Sequence, residues 1–60
     1  MFQIEHRRAD SAIGRQVIRA ERLVIALAAA RQMAIRLGAD HMTVTDARGD
    51  LIGVFRASAA

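Results

Sequence analysis

Sixty residues are enough for one small domain, whose core is too small to give a wide margin of stability. The absence of cysteine excludes disulfides and thiolate metal sites, which leaves oligomerisation as the expected support. A hydrophobic share of 53% argues against disorder, yet no apolar run reaches the roughly 18 residues of a membrane span, so we expect a cytoplasmic protein without membrane contact.

The net charge of +3 arises from nine arginines, without any lysine, against six acidic residues. Arginine binds phosphate in a bidentate way, so this bias is typical of a phosphate-binding surface. It is also typical of a G+C-rich genome, whose codons favour arginine over lysine and enrich alanine. We favour the codon explanation and keep both open.

The N-terminal residues 2–7 alternate between apolar and polar side chains. This period predicts a short strand with Phe2, Ile4 and His6 on its buried face. Asp10, Ser11 and Gly14 follow, and these residue types predict a turn that ends at Gly14.

The next segment, residues 15–21, fits two structures. As a strand it gains from the β-branched side chains of Val17 and Ile18. As a helix it joins one long element over residues 12–37, capped by Asp10 or Ser11, with four-three apolar spacing. Because the long helix would contain Gly14 and a run of like charges, we favour the strand.

Residues 23–37 are helical in either case, with Leu23, Leu27 and Ala34 on the face towards the core. Gly38 ends this helix, because glycine tolerates the left-handed conformation that follows a helix. A second apolar stripe lies elsewhere on the helix surface and requires a second partner. Its members are Val24, Ala28 and Ile35.

A β-hairpin is predicted over residues 41–56, around a type I turn at 46–49 with Gly49 as a left-handed bulge residue. The predicted register pairs Thr45 with Leu51, Val44 with Ile52, Thr43 with Gly53 and Met42 with Val54. It buries Met42, Val44, Ile52 and Val54, and it turns Leu51 and Phe55 to the other face. Burial opposes a register shifted by one, which would split the apolar set. The tail, residues 57–60, is expected to fray.

Candidate chemistry is sparse. His6 and His41 are the only nitrogen ligands for a metal or haem, and they would act together only if their strands were neighbours. We expect instead a partly buried His6 and an exposed His41. Asp46 and Asp50 suit the turn. Without a nucleophile beside a base, or a glycine-rich phosphate loop, we expect neither catalysis nor a cofactor.

Arginines concentrate in the first third of the chain and define an alternative, nucleic-acid-binding hypothesis. The residues concerned are Arg7, Arg8, Arg15, Arg19 and Arg22. Tyrosine and tryptophan are absent, so Phe2 and Phe55 are the only rings on which bases can stack.

Residues 34–38, followed by the pattern Val44-x-Asp46-x-x-Gly49-x-Leu51, resemble two kinds of bacterial sequence. One is a group of small α+β domains of unknown function, with a helix packed on two hairpins. The other is the first half of haem-binding accessory proteins of the glycolate-utilisation type, which implies a small-ligand or haem carrier as a remote alternative. The resemblance covers residues 26–56 and transfers no functional residue.

The sequence therefore predicts one α+β domain over residues 1–60, of ββαββ order, with one helix on an antiparallel sheet; the alternative is a strand, a long helix and a β-hairpin. The predicted role is a non-enzymatic interaction module that homodimerises or docks on a larger protein. The predicted interface residues are Val24, Ala28, Ile35 and Phe55.

Overall fold

Five elements follow one another in the computed structural model, which describes residues 1–57. They are β1 (Phe2–Arg8), β2 (Ser11–Ile18), α1 (Leu23–Leu37), β3 (His41–Asp46) and β4 (Leu51–Arg56). The strands form one antiparallel sheet in the order β2-β1-β3-β4, and α1 packs on one of its faces. The predicted ββαββ fold is confirmed, and the long-helix alternative is wrong because residues 11–18 are a strand.

The β1–β2 hairpin closes through Ala9 and Asp10, not through a turn that ends at Gly14. Ala9 adopts a left-handed φ of 50°, and its N–H donates to Asp40 Oδ2 at 2.8 Å. Gly14 lies inside β2, opposite His6. A Cβ on Gly14 would lie 2.7 Å from Leu37 Cδ1, so this glycine marks where the helix lies close to β2.

Small side chains bring α1 close to the sheet. Ala26, Ala30 and Ala34 face the strands and are fully buried, together with Leu27. The helix backbone accordingly approaches β1 and β2 most closely. Larger side chains fill the core beneath and beside it, and the largest of those that are fully buried are Ile4, His6, Met42 and Val44.

The helix ends where the sequence predicts. Gly38 has a left-handed φ of 73°, and its N–H donates to Ile35 O at 3.2 Å, while the N–H of Ala39 donates to Ala34 O at 2.9 Å. These two bonds form a Schellman motif, which satisfies carbonyls at the helix end.

The register of the second hairpin differs from the predicted one. The observed pairs are Met42 with Phe55, Thr43 with Val54, Val44 with Gly53 and Thr45 with Leu51. Only the last agrees, because Ile52 is an extra residue that forms a β-bulge between Gly53 and Leu51. Beyond the bulge, each residue of β4 lies on the face opposite to the predicted one.

Phe55 explains this shift. In the observed register it lies on the helix-side face and packs against the core, beside Gly53. A Cβ on Gly53 would lie only 3.2 Å from Phe55 Cζ, so the missing side chain makes room for the ring. Burying part of a phenylalanine ring stabilises the fold more than burying Val54 would. Ile52 and Val54, predicted in the core, are therefore exposed.

The turn of this hairpin is as predicted. Gly49 has a left-handed φ of 86°, and its N–H donates to Asp46 O at 3.0 Å. Asp46 Oδ1 accepts the N–H groups of Asp50 at 3.0 Å and Arg48 at 2.8 Å. The backbone N–H of Asp50, aided by that of Arg48, holds the pKa of the Asp46 carboxyl below its ordinary value.

One residue between α1 and β3 joins both hairpins. Asp40 donates its N–H to Arg7 O at 2.8 Å, its carbonyl accepts the N–H of Ala57 at 3.0 Å, and its carboxylate holds Ala9. Ala57 is buried, so the expected fraying does not begin there. Residues 58–60 of the predicted frayed tail lie outside the described residues.

Prediction on the register. Phe55→Ala should lower the free energy of unfolding by roughly 2 kcal/mol, because it removes a ring packed on the core. Val54→Ala should change it by less than about 0.5 kcal/mol, because Val54 is exposed. Urea unfolding measures both. The register predicted from the sequence requires the opposite ranking.

Prediction on pH dependence. Because the Asp46 pKa is lower in the folded chain, its carboxylate stabilises the fold above the unfolded-state pKa, and this contribution is lost as pH falls through the folded-state pKa. Asp46→Asn should therefore lose less stability between neutral pH and about pH 2 than the parent does. Urea unfolding at both pH values measures the difference. The exposed Asp10→Asn, in the other hairpin turn, is the control; equal acid sensitivity of D46N and the parent contradicts the prediction.

Candidate interaction surfaces

Val24, Ala28 and Ile35, here called the helix stripe, lie exposed along one side of α1. At about 100° per residue they fall within an arc of roughly 40°. Val24 is 68% exposed and Ile35 is 65% exposed, so the fold leaves two large β-branched side chains in water. Arg31 lies at the edge of the stripe and is half-buried; its Nε is buried without a hydrogen-bond partner in the described part of the chain.

The helix stripe lies outside the buried face of α1. Leu37 shares the angular position of the buried alanines and approaches Gly14 of β2, which is the outer strand at that end of the sheet. Phe55, the fourth predicted interface residue, packs against the core from β4 and is half-buried. Phe55 is therefore less exposed than Val24 and Ile35 and is not part of the helix stripe.

A second apolar surface lies on β4, and sequence reasoning missed it. Leu51 is 64% exposed, Val54 is 60% exposed, and Ile52 is exposed beside them. We call these three residues the β4 patch. The predicted register hid this patch by placing Ile52 and Val54 in the core. The signal that could have revealed it is Gly53 two residues before Phe55, since a ring on a strand often packs over a same-face glycine.

The sheet face away from the helix carries mixed rows of side chains. Residues paired across neighbouring strands point to the same face. One row is Val17, Gln3, Thr45 and Leu51, and the next is Arg15, Glu5, Thr43 and Val54. A concavity of about 570 Å³, open to solvent, lies over these rows. The side chains that line it from this face include a carboxylate, a guanidinium, the amide of Gln3 and two threonine hydroxyls, together with Val17.

The arginines of the nucleic-acid hypothesis do not form one patch. Arg7 and Arg15 lie on the sheet face away from the helix, where Arg7 donates to Glu5 and Arg15 Nε lies 3.6 Å from the second oxygen of the same carboxylate. Arg8 instead donates to the carbonyl of Gly38 at 3.3 Å. The two remaining arginines, Arg19 and Arg22, are exposed between β2 and α1.

The two histidines lie on opposite faces of the sheet. Their strands are neighbours, but His6 pairs with Met42 whereas His41 pairs with Arg7, one position along, and successive residues of a strand alternate between faces. They cannot bind one metal or haem together. His6 is fully buried, with Nε2 3.1 Å from Gln16 Oε1, and Nδ1 has no partner in the described part of the chain. Within residues 1–57 there is no group of three side chains suited to a metal ion.

Comparisons with known proteins identify no relative: no family model matches the chain, and no curated protein or solved structure is significantly similar to it. The local resemblance of residues 26–56 therefore stays a prediction. Among the described residues, no helix is both long and apolar enough to cross a membrane.

Proposed function

We propose that the chain is a small non-enzymatic interaction module, which acts by homodimerisation or by docking on a larger protein through the helix stripe. The observation that carries this proposal is the joint exposure of Val24 and Ile35 on one side of a 15-residue helix. Covering a valine or isoleucine side chain is worth about 1.5–3 kcal/mol, so a partner that buries both gains substantially.

The chain's own core does not satisfy these side chains, because α1 already uses its alanine face to approach the sheet. The alanine side chains of that face are short, so the helix lies close to β1 and β2, and the helix stripe stays outside the contact between the helix and the sheet. Surplus exposed apolar surface in a folded chain is typical of a protein–protein contact.

The titratable groups support a binding role rather than catalysis. His6 is enclosed in the core and cannot reach a substrate, and the carboxylate of Asp46 is held by two backbone N–H groups of its own turn. Glu5 interacts with two arginines. Each of these groups has a structural role that explains its position.

Nucleic-acid binding through the N-terminal arginines remains the competing proposal. Arg7 and Arg15 share a sheet face with Arg56, and the last of these pairs with His41. The carboxylate of Glu5 contacts both Arg7 and Arg15, and its negative charge repels a phosphate at that place. A haem or small-ligand carrier is weaker still, because the histidines are on opposite faces.

Prediction on the helix stripe. The double variant Val24→Gln and Ile35→Gln should keep or slightly raise the free energy of unfolding, because both positions are exposed and glutamine favours helices more than valine or isoleucine does. It should weaken association about tenfold or more, because it removes the apolar contact. Light scattering measures self-association, and capture from the native host measures docking.

Ala29→Gln, exposed on the same helix outside the stripe, is the matched control. It should bind as the parent does. If the parent neither self-associates nor retains any protein that the stripe variant loses, the proposed function is wrong.

Prediction on nucleic acid. Mobility-shift assays with single-stranded and duplex DNA at low salt should show no complex, because the arginines are divided among three places and two of them contact Glu5. A complex that weakens steeply with salt and is lost in Arg19→Ser/Arg22→Ser would favour the competing proposal.

A further inference from the structure

The helix stripe and Arg31 follow one another along α1 at a regular spacing. Four, three and four positions separate Val24, Ala28, Arg31 and Ile35. At about 100° per residue, these four side chains fall within an arc of roughly 60°. Such four-three spacing on a narrow arc is the pattern of a coiled-coil seam, along which a second helix packs. The spacing therefore indicates that the occupant of the stripe is a helix.

Arg31 occupies an inner position of this seam. It is half-buried, and its Nε is buried without a hydrogen-bond partner in the described part of the chain. Within residues 1–57 the carboxylate that forms salt bridges is that of Glu5, and its partners are Arg7 and Arg15. A guanidinium that is already partly shielded from water gains more from a carboxylate than a fully solvated one does. An acidic group on the helix that covers the stripe would therefore stabilise the contact.

A second copy of α1 does not supply this acidic group. Residues 23–37 contain no aspartate or glutamate, and their charged side chains are Arg31 and Arg36. If two stripes paired antiparallel, each Arg31 would face Ala28 of the other copy, so the two guanidinium groups would lie within about one helical turn. In a parallel pair they would meet directly. Both arrangements cover like charges without a carboxylate, which disfavours self-association through the stripe.

Glu21 is the acidic residue nearest to α1 on its N-terminal side, and it does not change this result. It precedes the helix by two positions and is exposed. In the antiparallel pair it would lie opposite Gly38 of the other copy, about 10 Å along the axis from the Arg31 of that copy. The carboxylate that Arg31 lacks must therefore come from a different protein.

We propose that the helix stripe binds an amphipathic helix of another protein, which carries a carboxylate opposite Arg31. Apolar side chains of the partner cover Val24 and Ile35, and its carboxylate accepts hydrogen bonds from the Arg31 guanidinium between them. A polar residue inside a coiled-coil seam fixes the choice of partner in the same way. The net charge of +3 acts in the same direction, because it attracts an acidic protein and repels a second copy.

Docking of an acidic helix rests on the proposed function and deepens it, because it selects docking over homodimerisation. An anionic membrane surface fits the stripe less well. Helices that lie on membranes present tryptophan, phenylalanine or leucine, whereas the stripe consists of Val24, Ala28 and Ile35 with an arginine inside the seam.

The test uses two synthetic, alanine-rich helical peptides of about 20 residues. Both carry leucines at the two outer positions of a matching four-three-four seam. The two inner positions are glutamate in one peptide and lysine in the other, so that either helix direction brings one of them opposite Arg31. Chemical-shift titration of the isotope-labelled chain measures the dissociation constants. The parent should bind the glutamate peptide about tenfold or more tightly than the lysine peptide, and Arg31→Glu should reverse this preference.

Arg36→Gln is the matched control for Arg31→Gln. Arg36 is exposed on the same helix and lies about 100° away from Ile35, outside the seam. R31Q should weaken binding of the glutamate peptide about tenfold, whereas R36Q should bind it as the parent does. Arg31→Lys keeps both the charge and a long stem, so it should retain the preference for glutamate even if R31Q perturbs the fold.

Three results overturn the inference: no binding of the glutamate peptide at millimolar concentration, equal binding of the two peptides by the parent, or equal loss of binding in R31Q and R36Q. Self-association of the parent that V24Q/I35Q abolishes also overturns it, and leaves the proposed function standing. Binding to phosphatidylglycerol vesicles that V24Q/I35Q abolishes, without binding of the glutamate peptide, overturns both.

Discussion

The close approach of the helix to β1 and β2 is the constraint on which the rest depends. It requires alanine on the inner helix face at Ala26, Ala30 and Ala34, and it requires Gly14 beneath Leu37. A contact made of such small groups brings the two layers together but covers little area. The larger side chains therefore divide between a narrow core under the helix and positions that face water. The exposed helix stripe follows from this arrangement, whereas the β4 patch follows from the bulge at Ile52 and the packing of Phe55.

Much of the fold could be predicted from the sequence, because local chemistry determines it. The left-handed glycines at 38 and 49 mark the helix end and the hairpin turn, and β-branched Val17 and Ile18 favour the strand that the structure contains. The register could not be predicted in the same way. It depends on how Phe55 lies beside Gly53, and a pattern of apolar and polar letters does not describe the space that a missing side chain leaves.

Of the two candidate surfaces, one could likewise be predicted from the sequence and the other could not. The exposure of the helix stripe could be predicted because helical periodicity assigns faces without reference to other elements. The β4 patch could not be, since a single bulge at Ile52 reverses which side chains of the strand meet the core. The arginines show a third case: closeness in sequence did not become closeness in space, because Arg7 and Arg8 point to opposite faces of one strand and are held by different partners.

Asp40 makes the two ends of the fold interdependent. Asp40 takes part in three hydrogen bonds. Its carboxylate accepts the N–H of Ala9 in the first hairpin turn, its own N–H donates to Arg7 O in β1, and its carbonyl accepts the N–H of Ala57 after β4. Neither hairpin can peel away at this end without releasing the other. Because the core is narrow, each hairpin alone would have little stability. The shared hydrogen bonds of Asp40 couple the two hairpins, so we expect them to unfold together as one cooperative unit.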